Sequence, residues 1–138
     1  TVVAKADVNI DMIVQNIAAS KTHLSDISFT LPSDDFKKAV DALEAAKAAI
    51  GFESLQLDEK IGKLSIVGSG MKTHSGVSAT LFGALAKAGV NIEMISTSEI
   101  RISVITNIAQ VDEAARVVHS AFGLDGDNQA VVYAGTGR

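Results

Sequence analysis

Residues 5–13 read KADVNIDMI, and residues 87–95, eighty-two positions further on, read KAGVNIEMI, identical at seven of nine places. A repeat at this spacing is too long for a solenoid unit and long enough for a small domain. The chain therefore reads as two copies of one α/β unit, the first lacking its beginning. Two copies of an asparagine-bearing strand start also imply that ligands or partners meet the units at equivalent places.

Working outward from the repeat, the second copy is the more complete. Residues 63–67 read as a strand, 68–76 as a glycine-bearing loop, and 77–88 as a helix ended by Gly89. Strands follow at 91–96 and 101–106. A helix is expected over 111–122, with apolar positions at Val111, Ala114, Ala115, Val118, Ala121 and Phe122. A turn over 123–128 and a final strand at 130–133 close the unit. In the first copy, residues 1–6 look like the last turn of a helix and 8–16 like a strand. A polar turn at 20–25 leads into a strand over 26–31, which places Ile27, Phe29 and Leu31 on one face. Pro32 ends it, Ser33 offers an N-cap oxygen, and Asp34 and Asp35 suit the first turn of a helix running to Ile50. Gly51 is the expected C-cap, and residues 52–57 the closing strand.

The second unit thus runs β-α-β-β-α-β, and the first matches it from its second strand onward. This is the α+β, ferredoxin-like arrangement, an antiparallel sheet with both helices on one face. Side-by-side pairing of units into an eight-stranded sheet would remove the exposed edges.

Composition narrows the function. The 138 residues fit one domain or two very small ones, and units of roughly 60–70 residues bury only modest cores. Packing of the units against each other or against a second chain is therefore expected. Hydrophobic residues make up 47 % of the chain, which excludes disorder. No apolar run approaches the roughly 20 residues of a membrane span. A net charge of −4 without a basic cluster argues against nucleic acid and membrane surfaces as partners. The absence of cysteine excludes disulfides, thiolate zinc sites and cysteine nucleophiles. With no signal or transit pattern at the start, a cytoplasmic location is the expectation.

The loop GSGMKTHSG (68–76) follows a strand and opens a helix, so backbone N–H groups and the helix dipole converge there. Its lysine is misplaced for a Walker motif, and no GxGxxG fits. A phosphate, a small carboxylate and simple turn glycines remain open readings. His23, His74 and His119 show no ligand spacing, so no metal is expected. The stretch STSE (96–99) has no base in a triad-like order, and strand-end hydrogen bonding accounts for it. Asn9 with Asp11, and Asn91 with Glu93, sit at strand starts with alternate residues on one face. Either asparagine serves the helix-to-strand turn, or the paired oxygens capture an ammonium group. With the Gly76 loop close by, a carboxylate binder and an ammonium binder together would describe a site for a free amino acid.

The segments VNIDMIVQN (8–16), DISFTLP (26–32), IGKLSIVGSGMKTHSGV (61–77), VNIEMISTSEIRISV (90–104) and AVVYAGTGR (130–138) resemble the C-terminal regulatory region of aspartate kinases. These enzymes open lysine, threonine and methionine synthesis. The resemblance covers essentially the whole chain. It implies two ACT domains, the first over 1–60 without its first strand and most of its first helix, the second over 61–138. It also implies a regulatory module that binds threonine, lysine or both and thereby mediates feedback inhibition. Expected partners are an aspartate kinase catalytic subunit or domain and a second copy, as a homodimer through the ACT domains. No cofactor is implied, and this chain alone is not expected to phosphorylate aspartate. A purely structural role, pairing kinase subunits, is the alternative.

Carried onto these residues, the resemblance puts the effector carboxylate on backbone N–H groups of Gly76, Val77 and Ser78. The ammonium group would meet Asn91, Ile92 and Glu93, or Asn9, Ile10 and Asp11. Gln15, Asn16, Ser98 and Glu99 would read a threonine hydroxyl or a lysine ammonium, and Met71, His74 and Leu81 would line the apolar part. The family often has proline where Ser75 stands, so the loop's preset geometry is looser here. The first unit also lacks the loop equivalent to 71–78.

Overall fold

A computed structural model describes residues 1–17, 25–69 and 76–126. The chain divides into two compact units, Thr1–Lys60 and Ile61–Arg138.

In the first unit a short helix, α1 (Val2–Lys5), precedes strands β1 (Met12–Ile17) and β2 (Ser25–Thr30), which pair antiparallel with Met12 opposite Thr30. Helix α2 (Phe36–Ala45) follows a 3-10 turn at Ser33–Asp35. Ala39 and Leu43, one helical turn apart, carry α2 onto Val3, Val8, Ala6, Phe29 and Leu31. Lys37 and Asp41 pair across the exposed side of α2 at 2.6 Å, a contact of small worth because both ends are solvated.

The first unit departs from the sequence reading in several places. Ser33 does not cap the helix. It lies inside the 3-10 turn, with Pro32 at that turn's start and Asp35 at the start of α2, and neither gives a side-chain cap. The single helix expected to Ile50 is interrupted at Ala46, whose N–H is shared between the carbonyls of Ala42 and Leu43. A short α3 (Lys47–Ile50) follows and ends at Gly51, which is left-handed as expected, with φ of 80°. Ile27 does not join Phe29 and Leu31 in the core and is 62 % exposed.

The expected closing strand at 52–57 is not formed. In the second unit the opening strand lies at one side of the sheet. Among the described residues of the first unit β1 pairs with β2 alone, and no opening strand offers residues 52–57 an edge.

In the second unit β3 (Ile61–Val67), β4 (Met94–Thr97) and β5 (Arg101–Asn107) form an antiparallel sheet in the order β3-β5-β4. Helices α4 (Gly76–Lys87) and α5 (Val111–Ala121) cover one face. Leu81 and Leu85 on α4, Ala88 just past its end, and Ala114 and Val118 on α5 repeat at helical spacing, and meet Leu64, Ile66, Ile102 and Val104 from the sheet. Ala114 is fully buried, whereas Ala115 and Ala121, also expected on the apolar stripe, are exposed. Gly62 lets α5 approach β3. A Cβ there would come within 2.7 Å of Val111 Cγ2. The expected strand at 130–133, the tail to 138 and residues 20–24 of the polar turn lie outside the described residues.

Both strands that follow the repeat start later than the alternation suggested, at Met12 and Met94. Asn9, Asp11, Asn91 and Glu93 therefore precede the strands. The period-two argument that put each pair on one face does not apply to them.

Candidate functional site

The repeat builds the same backbone device in both units. Asp7 and Gly89, the first of its two differing positions, both take positive φ, 54° and 69°. Around them the hydrogen bonds match one for one. The N–H of Val8 donates to the Val3 carbonyl and that of Val90 to Leu85; Asp7 donates to Ala4 and Gly89 to Ala86. These are the two bonds of a Schellman stop, with the accompanying apolar contact supplied by Val3 and Val8 in one core and Leu85 and Val90 in the other. The left-handed residue's carbonyl is tied in each case to the unit's next helix region, Asp7 by Lys38 Nζ at 2.9 Å and Gly89 by Gln110 Nε2 at 3.3 Å.

The chain leaves this stop as Asn9–Ile10–Asp11 or Asn91–Ile92–Glu93. Asp11 N–H donates to the Thr30 carbonyl at 2.9 Å, and Glu93 N–H donates to Ile105 at 2.8 Å, so the acidic residue is registered identically on the neighbouring strand. Asn9, Asp11, Asn91 and Glu93 are exposed. Ile92 packs against the core, while Ile10 is 38 % exposed. Thr106, with no exposed surface, donates its hydroxyl to the Asn91 carbonyl at 2.6 Å.

At the start of α4, Gly76 and Ser78 are exposed and Val77 is half-buried against the core. Helix geometry leaves the first N–H groups without intrahelical acceptors, and no acidic residue occupies the first turn. That end can accept an anion. Leu81 is 1 % exposed and belongs to the core, so it supports the helix start from beneath. Met71 and His74 lie outside the described residues.

Within one unit, these two groups of residues do not come together. Gly76 begins α4 and Asn91 follows its end, and twelve helical residues span about 18 Å. The expectation that the Gly76 loop lies near Asn91 fails for a single unit, because a helix separates them. The Gly76 end is instead the end of the β4–β5 turn. There Ser98 N–H donates to the Arg101 carbonyl at 2.7 Å, its hydroxyl reaches the same oxygen at 3.4 Å, and Gly68 N–H donates to Ile100. Glu99 is exposed in this turn. In the first unit Gln15 and Asn16 are exposed on β1, opposite Ile27 and Asp26.

Among the described residues no group of three or more His, Asp or Glu side chains could hold a metal ion. A shallow depression on α5 is lined by Ala115, Arg116, His119, Ser120 and Asp125. The Ser120 hydroxyl and then Asp125's own backbone N–H hold its carboxyl below the usual carboxylate range.

Thr106, Lys38 and Gln110 escaped the sequence reading although they fasten the repeat. A signal existed for Thr106, a hydroxyl that follows Val104 and Ile105 at a strand end, since buried hydroxyls need partners.

Comparison with known proteins agrees with this architecture. An ACT-domain family model matches residues 64–122. The aspartokinase of Mycolicibacterium smegmatis is 54 % identical over 136 residues, which are 99 % of this chain and 32 % of that protein. The chain thus spans about a third of the length of the curated relatives it matches. The regulatory subunit of aspartate kinase from Thermus thermophilus, solved in a ligand-free form, is 40 % identical with a TM-score of 0.79. The match covers 88 % of this chain and 78 % of that one. A crystal structure of aspartokinase alpha and beta subunits contains a chain 42 % identical, with the same TM-score and the same coverage.

Proposed function

The chain belongs to the aspartate kinase family, in its ACT-bearing regulatory region, and on that premise we propose that it binds threonine, lysine or both as feedback effectors. The two compact units are then its ACT domains, 1–60 and 61–138. The observation that carries the reading is the duplicated turn. Each copy delivers an Asn–Ile–acid tripeptide from the same locked helix stop, with side-chain oxygens exposed and able to receive an ammonium group.

The effector's carboxylate goes to the N–H groups of Gly76, Val77 and Ser78, where dipole and unpaired donors favour an anion. An α-amino acid bears its ammonium and carboxylate on one carbon, so it cannot span α4. One effector therefore does not bridge Gly76 and Asn91 of the same unit, and the expected homodimer through the ACT domains offers further copies of each end. Gln15, Asn16, Ser98 and Glu99 read the effector side chain, Met71 and His74 border it, and Leu81 holds the helix start in place. Binding that favours one packing of two chains shifts the assembly toward it, which is what inhibition of an associated kinase catalytic subunit or domain requires.

One observation favours a second reading, a structural pairing module without ligand. Among the described residues β1 pairs only with β2 and β4 only with β5, and such edges invite strand pairing. Calorimetric titration with threonine, lysine and both separates the two. Saturable heat that one ligand alters for the other is the expected result. Silence at millimolar ligand, with stability that rises only with protein concentration, supports pairing alone.

A further inference from the structure

Of the aspartates in the sequence, Asp125 alone is followed by glycine. The backbone nitrogen of the next residue can attack an aspartate's side-chain carbonyl carbon, and a side chain on that next residue crowds the approach. Most of the other described aspartates are shielded in a second way. The N–H that follows Asp7 donates to the Val3 carbonyl, the one after Asp11 to the Thr30 hydroxyl, and the one after Asp34 to Pro32. Asp26, Asp41 and Asp112 lie within β2, α2 and α5. Asp125–Gly126 instead lies in the turn beyond α5. That helix ends with the Gly123 N–H on the Ser120 carbonyl at 2.9 Å and the Leu124 N–H on His119 at 3.1 Å, Gly123 being left-handed at φ of 67°. Both residues of the pair are exposed. Beyond its chain neighbours, a Cβ on Gly126 would meet nothing nearer than the Gly123 carbonyl at 3.9 Å. The Asp125 carboxyl shares the depression on α5 with Ser120, Arg116 and His119. The Ser120 hydroxyl, ahead of Asp125's own N–H, is what favours its ionised form.

We propose that Asp125–Gly126 is the chain's site of spontaneous aspartate isomerisation and that the Ser120 hydroxyl is the brake on it. In the first step the Gly126 nitrogen bonds to Asp125 Cγ and gives its proton to solvent. One oxygen of the protonated carboxyl takes a further proton and leaves as water, closing a cyclic imide. Water then adds at the main-chain carbonyl carbon of Asp125, and the C–N bond there breaks. The chain now runs on through Cγ, and the former main-chain carbonyl is a free carboxylate. Water is lost and regained, and no other reactant is consumed. The leaving oxygen has to be protonated, and a hydroxyl that stabilises the carboxylate opposes that. The product lengthens the backbone by a methylene in the turn that leaves α5.

The test is ageing of the full chain in mild acid at physiological temperature, for the wild type, Ser120→Ala, Ser120→Thr and Gly126→Val, beside each protein's thermal midpoint. Trypsin releases residues 117–138 as one peptide, and electron-transfer fragmentation locates isoaspartate within it. The expected result is isoaspartate at Asp125 in the wild type, above its level at any other described aspartate, and none there in Gly126→Val. Ser120→Ala accumulates it several-fold faster at an unchanged midpoint, and Ser120→Thr, which restores the hydroxyl, returns to the wild-type rate. A wild type that ages no faster at Asp125 than Gly126→Val overturns the site. Equal rates in the wild type and Ser120→Ala overturn the brake. Ser120 is exposed, so its truncation should leave the fold intact. Should the Ser120→Ala midpoint fall, Ser120→Thr decides, and ageing there several-fold faster than the wild type rejects the brake.

Discussion

Asp7 and Gly89 sit at one backbone position of the repeat, at φ of 54° and 69°, yet only one of them is glycine. The left-handed conformation costs a residue bearing a Cβ roughly 1–2 kcal/mol, and aspartate is among the side chains that enter it most readily. A Cβ on Gly89 would meet nothing within 4 Å, so substitution there tests the backbone alone. Gly89→Ala is expected to lower stability by about 1–2 kcal/mol, and Gly89→Asn by less. Urea unfolding of both variants measures the difference, and equal losses would refute the backbone account.

Gly62 fails for the opposite reason. Its φ is not the constraint; the space is, with Val111 Cγ2 2.7 Å from where a Cβ would stand and Ile108 Cδ1 at 3.2 Å. A branched valine cannot swing clear as a long flexible chain would. Gly62→Ala is expected to cost about 1–3 kcal/mol by overpacking. Trimming the obstacle in the double variant Gly62→Ala/Val111→Ala should recover part of that loss, a non-additivity that equilibrium unfolding can detect.

Leu85 has no exposed surface and is, with Leu81, among the largest fully buried side chains. Leu85→Ala is expected to cost about 2–5 kcal/mol through lost burial and the cavity left behind. Ile95, 47 % exposed on β4, should tolerate the same truncation with a much smaller change in denaturation midpoint.

Asp125 gives a pH signature. Ser120 and then its own N–H depress its carboxyl pKa in the fold below the usual 3.8. A carboxyl depressed on folding adds stability above its unfolded pKa, and that share is lost as pH falls through the folded value. Acid unfolding should therefore show a contribution below pH 3.8 that shrinks in Ser120→Ala, where the backbone N–H remains. NMR titration of Asp125 in the two proteins reads it directly.

Gln15 and Ser98 are both exposed, so truncating them should leave folding intact. Gln15→Ala and Ser98→Ala are each expected to weaken threonine binding several-fold while the thermal midpoint stays put. Unaltered affinity in either variant removes that residue from the proposed site.

The duplication was legible because a nine-residue string kept its identity, and with it the unit order, the left-handed stops at Gly51 and Gly89, and the helical stripes. What escaped was decided by neighbours distant in sequence. Residues 52–57 stand where the unit's order calls for a closing strand, but a strand needs an edge, and sequence does not reveal whether one is present. The union of Gly76 and Asn91 into one local site failed because motif spacing says nothing about which end of a helix each motif occupies. Thr106 was visible as a hydroxyl at a strand end, but its partner, Asn91, lies fifteen residues earlier in the chain.

The paired stop bonds, Val90 to Leu85 and Gly89 to Ala86, have a mechanical consequence. They fasten the asparagine turn to α4 without a pliant joint, and α4 behaves as a short push-rod whose far tip is Gly76. A displacement of the asparagine turn along the axis of this twelve-residue helix would therefore be carried to Gly76, about 18 Å away.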